Sequence, residues 1–401
     1  MNLIKADTTE FAVQWKTQGN QETIYWQLTP PKAAGETVRQ YSAQDERFIA
    51  EAAALLLSGG TVAFPTETVY GLGADACNTA AVEAVFAAKG RPADNPLIVH
   101  IAERSQLEEL VTGVNKTAEA LMDAFWPGPL ALVLPVRADV LSKRVTAGLD
   151  TVAVRMPDHP TALALLRAAR IPVAGPSANR SGRPSPTLAS HVMDDLAGYI
   201  SGVVDDGATG VGLESTVVQV QPDGTVTILR PGGITGEQLE AVAGITVSTQ
   251  ANTAGPLHKE AAVAPGAAND DHSAPRAPGM KYAHYAPRGW LGLVGGASPQ
   301  RVADAAAGLL RNADNRGEVT GLLLFEEHRS LYAKDAASCV VSLGSLSSLE
   351  EGARFLYAAL RRFDEVGATY IIAETCPDTG LGAAIMNRLL KAARGSLIDT
   401  N

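Results

Sequence analysis

The sequence predicts an α/β protein with two unequal domains, and three features of its 401 residues carry that prediction. From about residue 42 to residue 246, short β-prone runs alternate with amphipathic helical stretches, some at hairpin spacing, which requires a mixed, twisted sheet clad in helices. From 250 to 278 the composition shifts to Ala, Pro, Gly, Asn and Asp without periodicity, as in a linker. Beyond it, strand and helix alternate from Trp290 onward, the pattern of a smaller doubly wound α/β unit.

Residues 1 to 37 hold only a weak strand-like run, TIYWQLT, closed by Pro30-Pro31 and Gly35. They read as a small appended hairpin or as an extension with little structure of its own. Ser42 is an N-cap with Asp45 three residues on, and Phe48, Ile49, Ala52, Ala53 and Leu56 recur at helical spacing up to Gly59-Gly60. A strand at 61 to 64 follows, inside the stretch GGTVAFPTETVYGLGA at 59 to 74. Pro65 ends that strand because it has no ladder donor, while Gly71 and Gly73 permit close backbone approach. Thr66, Thr68 and Tyr70 therefore gather hydroxyls at the end of a buried strand, as a polar-ligand site or as an ordinary strand-to-helix turn.

A second helix starts at Asn78 or Thr79 and ends at Lys89-Gly90, and a strand at 97 to 101 carries His100. Helices near 106 to 111 and 117 to 125 lead to the Trp126-Pro127-Gly128-Pro129 turn and a strand at 130 to 136. The strand at 151 to 155 ends on Arg155; a helix at 161 to 169 and a strand at 172 to 175 then lead into GPSANRSGRPSPT. A helix from Thr187, strands near Val203, at 215 to 220 and at 226 to 229, and a helix capped by Thr235 complete the first domain. In the second, strands at 290 to 294, 320 to 324, 339 to 343 and 370 to 374 enclose helices at 299 to 311 and 348 to 365, with a last helix at 381 to 393.

Composition excludes several classes. No apolar run reaches the roughly 18 residues a membrane helix needs, and MNLIKADTTE puts acid where a secretory signal has its apolar core, so a cytoplasmic protein is expected. Cys77, Cys339 and Cys376 form no CxxC pair, which suggests buried free thiols rather than zinc knuckles or disulfides. A net charge of −10 argues against a general nucleic-acid coat, although 12 basic against 9 acidic residues between Lys89 and Arg183 leave one region suited to an anion or to a mixed solvated surface.

There is no GxxxxGK[ST], no GxGxxG after a strand, no GxSxG and no HExxH. Phosphates, if bound, must be met by Lys89, Arg91, Ser177, Asn179, Arg180, Ser181, Arg183, Ser185 and Arg230. The proline-broken loop at 175 to 187 suits phosphate through hydroxyls, free amides and arginine forks, or is a surface loop of turn formers. His100 is either a core histidine or a site residue. Arg155 at the end of a buried strand needs an anion or several acceptors, and a substrate carboxylate would serve.

In order, PTETVYGLGADA at 65 to 76, KGRPADNPLIVHI at 89 to 101, WPGPLALVL at 126 to 134, AVRMPDHP at 153 to 160, GPSANRSGRPSPT at 175 to 187, GLESTVV at 212 to 218, LRPGGIT at 229 to 235 and PGMKYAHYAP at 278 to 287 resemble the YrdC-domain family, specifically its two-domain threonylcarbamoyl-AMP synthases. The resemblance covers about Val38 to Thr246 and Pro278 onward. It implies an extension at 1 to 37, a YrdC-like catalytic domain at 38 to 249, a linker with an active-site lid motif at 250 to 289 and a Rossmann-like domain at 290 to 401.

The reaction it implies joins L-threonine, bicarbonate and ATP into threonylcarbamoyl-AMP and pyrophosphate, for modification of tRNA next to the anticodon. By resemblance, Thr68, His100, Arg155, Gly175 and Ser215 serve threonine. Lys89, Arg91, Asn95, Thr151, Ser177, Ser185, Arg230 and Tyr282 serve ATP, with Lys89 and Arg91 as the catalytic pair. Magnesium is expected with the triphosphate, with no metal site of the protein's own and no tightly bound cofactor. Expected partners are tRNA or double-stranded RNA and the transferase that uses the product. The alternatives are an RNA-binding module without synthase activity and a carbamoyl-transfer enzyme of the hydrogenase-maturation type. The second domain, lacking a phosphate fingerprint, is expected to steady the lid or contact partners.

Overall fold

The computed structural model describes residues 12–15, 21–30, 39–242, 244–249, 275 and 284–400. Among them, twelve strands form one mixed sheet, in the order Ala12–Trp15, Thr23–Gln27, Gly202–Asp205, Val62–Phe64, Gly71–Asp75, Val173–Ala174, Ile98–His100, Thr151–Arg155, Leu130–Pro135, Thr216–Val220, Val226–Arg230 and Val247–Thr249. Five further strands form a parallel sheet in the order Cys339–Ser342, Thr320–Leu324, Tyr370–Glu374, Trp290–Gly295 and Leu397–Asp399. The α/β architecture, with a large mixed sheet and a smaller doubly wound one, is the expected fold class.

Local chemistry explains the elements that carry the site. Ser42 and Asp45 form a reciprocal capping box, Asp45 N donating to Ser42 Oγ at 3.1 Å and Ser42 N to Asp45 Oδ2 at 3.0 Å, so the helix Ala43–Leu57 starts where expected. Asn78 Oδ1 accepts from the amides of Ala80 and Ala81, and Gly90 at φ 60° stops the helix Thr79–Lys89 in a left-handed cap. That stop leaves Lys89 on the last turn, buried and directed at the 175 to 187 loop.

Two elements depart from expectation, and one open alternative near the N-terminus is resolved. Ala12–Trp15 and Thr23–Gln27 pair antiparallel, the appended hairpin of the two readings offered; Thr23–Gln27 also pairs in parallel with Gly202–Asp205, and Trp26 lies where a Cβ on Gly202 would be 2.3 Å from its ring. Gly71–Asp75, read from sequence as a loop, is a central strand. Its glycines give no side-chain alternation because neighbours occupy the space, a Cβ on Gly73 falling 2.8 Å from Phe64 and 2.9 Å from Val173. The second domain ends in a fifth strand, Leu397–Asp399, too short to announce itself by period.

The two domains share one core. Val69, Leu213 and Tyr285 are buried in the same apolar cluster as Leu356, Tyr357, Leu360 and Leu389. At this junction Gly212 has φ 78°, and a Cβ there would lie 2.3 Å from Arg354 Cα, so the helix Leu349–Glu365 approaches closer than any side chain allows. Arg354 Nε closes the contact by donating to the Gly210 carbonyl at 2.8 Å.

Candidate active site at the domain junction

Loops and strand ends surround a cavity of about 70 Å³. The loop after Val62–Phe64 brings Thr66 and Thr68, the strands Ile98–His100 and Thr151–Arg155 bring His100 and Arg155 side by side in register, and Val173–Ala174 leads to Gly175 and Ser177. Ser215 and Arg230 arrive from the paired strands Thr216–Val220 and Val226–Arg230. The cavity wall holds five arginines and lysines, Lys89, Arg91, Arg155, Arg183 and Arg230, against one carboxylate, Glu214. His284 and Tyr285 close it from the end of the linker.

Arg155 and two threonine hydroxyls form one polar group on the wall. Arg155 Nη1 donates to Thr68 Oγ1 at 3.0 Å, and Thr68 Oγ1 lies 2.8 Å from Thr66 Oγ1. The anion that Arg155 requires is partly internal: Nη2 pairs with the Glu67 carboxylate, a residue sequence reasoning passed over. Arg155 Nε is buried and has no hydrogen-bond partner, which leaves a donor for a ligand. His100 stands edge-on to Phe64 with its Nδ1 unpaired. Burial, reinforced by the Arg155 charge, lowers its pKa to about 3, so the imidazole is neutral. A Cβ on Gly175 would lie 2.9 Å from that Nδ1, so glycine keeps the imidazole face open.

A second group on the wall is cationic. Lys89 Nζ donates to the carbonyls of Ser177 and Asn179, leaving one of its three donors. Burial, then the nearby Arg91, pushes its pKa well below the usual lysine value. Arg91 donates to the carbonyls of Asn95 (3.1 Å) and Pro96 (2.7 Å), which turns it along the cavity floor. Arg230 reaches the Ser215 carbonyl at 2.8 Å and Ser215 Oγ at 3.1 Å, tying the two predicted half-sites together.

Not every predicted residue lies on the cavity wall. Asn95 is buried beside Arg91 with both side-chain amide atoms unpaired. Thr151 starts the strand that Arg155 ends, and so lies at the far end of it from Arg155. Ser185 is committed elsewhere, donating to Glu214 Oε1 at 2.6 Å. Tyr282 lies outside the described residues, and so does most of the 250 to 283 segment.

Glu214 is the residue sequence reasoning missed most completely. It accepts from Ser185 Oγ, from Tyr357 Oη at 2.9 and 2.8 Å, and from Arg388 Nε at 2.9 Å, the last two belonging to the second domain. Burial alone would raise its pKa, but Arg388 and Arg230 with the Ser185 and Tyr357 hydroxyls hold it at about 2. A parallel knot ties Asp195 to Arg183 and to Arg361, whose Nη2 also donates to the Pro184 carbonyl at 2.6 Å. An acid in GLEST carried no sequence signal for this role, because its partners lie 143 and 174 positions away.

Four histidines, His100 and His191 buried and His159 and His284 half-buried, set an acid limit on the fold. His100 and His284 have pKa values lowered to about 3, and His159 and His191 to about 4, in each case by burial first and neighbouring cations second. Below the ordinary value near 6.5 the unfolded chain gains protons that the folded one refuses, so stability is full above that pH and falls as pH drops toward 4. Each histidine contributes up to roughly 1.4 kcal/mol per pH unit in that window. The melting midpoint is therefore expected to fall steeply from pH 6.5 to pH 4; a flat profile would contradict four imidazoles held neutral in the fold.

Comparison with known proteins gives independent relatives for this arrangement. The family described as telomere recombination matches residues 54–232, and the one described as threonylcarbamoyl-AMP synthase, C-terminal domain, matches 234–394. The threonylcarbamoyl-AMP synthase of Bacillus subtilis (strain 168) is 52% identical over 350 residues, 87% of this chain and 94% of the relative. That of Pyrococcus abyssi is 43% identical over 342 residues, 85% of this chain and 93% of the relative. The crystal structure of P. abyssi Sua5 complexed with L-threonine superposes with a TM-score of 0.79 at 40% identity, covering 94% of this chain and all of that one.

Proposed function

The chain belongs to the family of two-domain threonylcarbamoyl-AMP synthases, and from that premise we propose that it makes threonylcarbamoyl-AMP and pyrophosphate from L-threonine, bicarbonate and ATP. The product serves threonylcarbamoyl-adenosine formation in tRNA next to the anticodon, by way of a transferase acting in the cytoplasm. Among the described residues no helix is long and apolar enough to cross a membrane. The observation that carries the reading is one cavity whose wall holds Arg155 bonded to the Thr68 hydroxyl together with the cations Lys89, Arg91 and Arg230.

In this reading the threonine carboxylate meets Arg155 Nε, with Thr68, Ser215 and neutral His100 around its hydroxyl and amine. The amine takes up bicarbonate as a carbamate with loss of water. A carbamate oxygen then attacks the α-phosphorus of ATP; the bond from that phosphorus to the bridging oxygen breaks and pyrophosphate leaves, which is a nucleotidyl transfer. Lys89, Arg91 and Arg230 neutralise the charge that shifts onto the leaving pyrophosphate, so catalysis is positioning and electrostatics without a covalent enzyme intermediate. Ser177 meets the nucleotide from the wall, Asn95 and Thr151 act from behind it, and Ser185 acts there through Glu214. The carboxylates at the site are already paired with arginine, so the donor set suits phosphate oxygens, and magnesium would arrive as the counter-ion of ATP.

Pyrophosphate release by the purified protein, with bicarbonate and each amino acid in turn, tests the reading. Release that requires both threonine and bicarbonate is the expected result. Salt-sensitive RNA binding with no ATP consumption would move the assignment to an RNA-binding module.

A further inference from the structure

Glu214 poses a physical problem within the synthase reading. It lines the cavity that would receive a triphosphate, it is buried, and the groups around it keep it ionised. A free carboxylate there would repel the nucleotide, and an unpaired buried charge is costly in itself. Its compensation does not come from the catalytic domain alone. Tyr357 Oη donates to both of its oxygens and Arg388, wholly buried, donates Nε to Oε2, while Tyr285 lies between these groups, 5.3 Å from the Tyr357 ring and 5.4 Å from the Arg388 guanidinium carbon.

We propose that the second domain completes the nucleotide site: Tyr357 and Arg388 are positioning residues that neutralise Glu214 and fix its carboxylate, which in turn orients Ser185 and the adjoining Ser215. Three contacts transmit the effect. Ser185 Oγ is bonded to the Glu214 carboxylate, Ser215 follows Glu214 directly in the chain, and the Glu214 carbonyl accepts from Gly233 N at 3.2 Å, bracing the turn after Arg230. Arg361 acts alongside, holding Asp195 and the Pro184 carbonyl so that the 175 to 187 loop is braced from the same helix. A domain without a phosphate fingerprint thereby shapes a phosphate site without touching the ligand.

This inference rests on the synthase reading, and the test separates the two. Tyr357→Phe keeps the ring packed on Tyr285 and removes only the hydroxyl. In the full-length protein its KM for ATP is expected to rise about five- to tenfold, the worth of an ordinary hydrogen bond, with kcat nearly unchanged and the melting midpoint only modestly lowered, since Ser185 and Arg388 still hold Glu214. Combined with Ser185→Ala, the increase is expected to be less than the product of the single effects, because both act through one carboxylate. Unchanged KM values for ATP and threonine in folded Tyr357→Phe, or fully multiplicative effects in the double variant, would overturn the inference while leaving the synthase reading intact. Should Tyr357→Phe fail to fold, Arg388→Lys is the second probe: a raised KM for ATP at a wild-type melting midpoint supports the positioning role, and an unchanged KM overturns it. A wild-type protein with no threonine-dependent pyrophosphate release would instead remove the reading on which the inference stands.

Discussion

Arg155→Ala is expected to lower kcat/KM for threonine by two to three orders of magnitude, with most of the loss in KM. The guanidinium is buried, spends Nη1 on Thr68 and Nη2 on Glu67, and holds Nε in reserve. Removing it takes away the carboxylate anchor and strands Glu67 as a nearly buried charge, and breaking such a pair costs about 3–5 kcal/mol. The same change is therefore expected to lower the melting midpoint. Arg155→Ala with Glu67→Gln separates the two effects: stability should return in large part, because no lone charge remains, while threonine affinity should not. Calorimetric titration of threonine with wild-type affinity in the single variant would show that Arg155 is a structural arginine satisfied by Glu67.

Lys89→Met is expected to produce the complementary defect, a loss of about 10²- to 10³-fold in kcat/KM for ATP, typical of removing one preorganised cation from a developing charge. Two of the three Nζ donors are tied to the Ser177 and Asn179 carbonyls, which fixes the direction of the third. Methionine follows the buried stem, so threonine binding measured without nucleotide should be unaffected. Equal losses for threonine and ATP would mean that Lys89 holds the loop at 175 to 187 and does not meet phosphate.

Much of this site was legible in the residues because strand ends announce themselves. Arg155 closing TVAVR, His100 closing IVH and Thr68 just beyond a proline-broken strand each put a polar group where an apolar run stops. The cap at Ser42 and the stop at Gly90 follow from local hydrogen-bond geometry, which depends on neighbours within a few residues. Gly71–Asp75 was hidden because glycine carries no hydropathy period. Glu67 and Glu214 were hidden because an acid in an expected anion site points the wrong way until its arginine is seen. The contribution of the second domain was hidden for the same reason: Tyr357, Arg361 and Arg388 lie on amphipathic helices in which a buried polar residue looks like any other, and their partners are brought close only by the fold.

Mass spectrometry of the reaction with isotopically labelled bicarbonate reaches the central claim most directly. With threonine and ATP present, a product containing threonine, one labelled carbon and AMP, formed together with an equal amount of pyrophosphate, is the predicted result. ATP conversion that incorporates neither the label nor threonine, or no conversion at all, would contradict it.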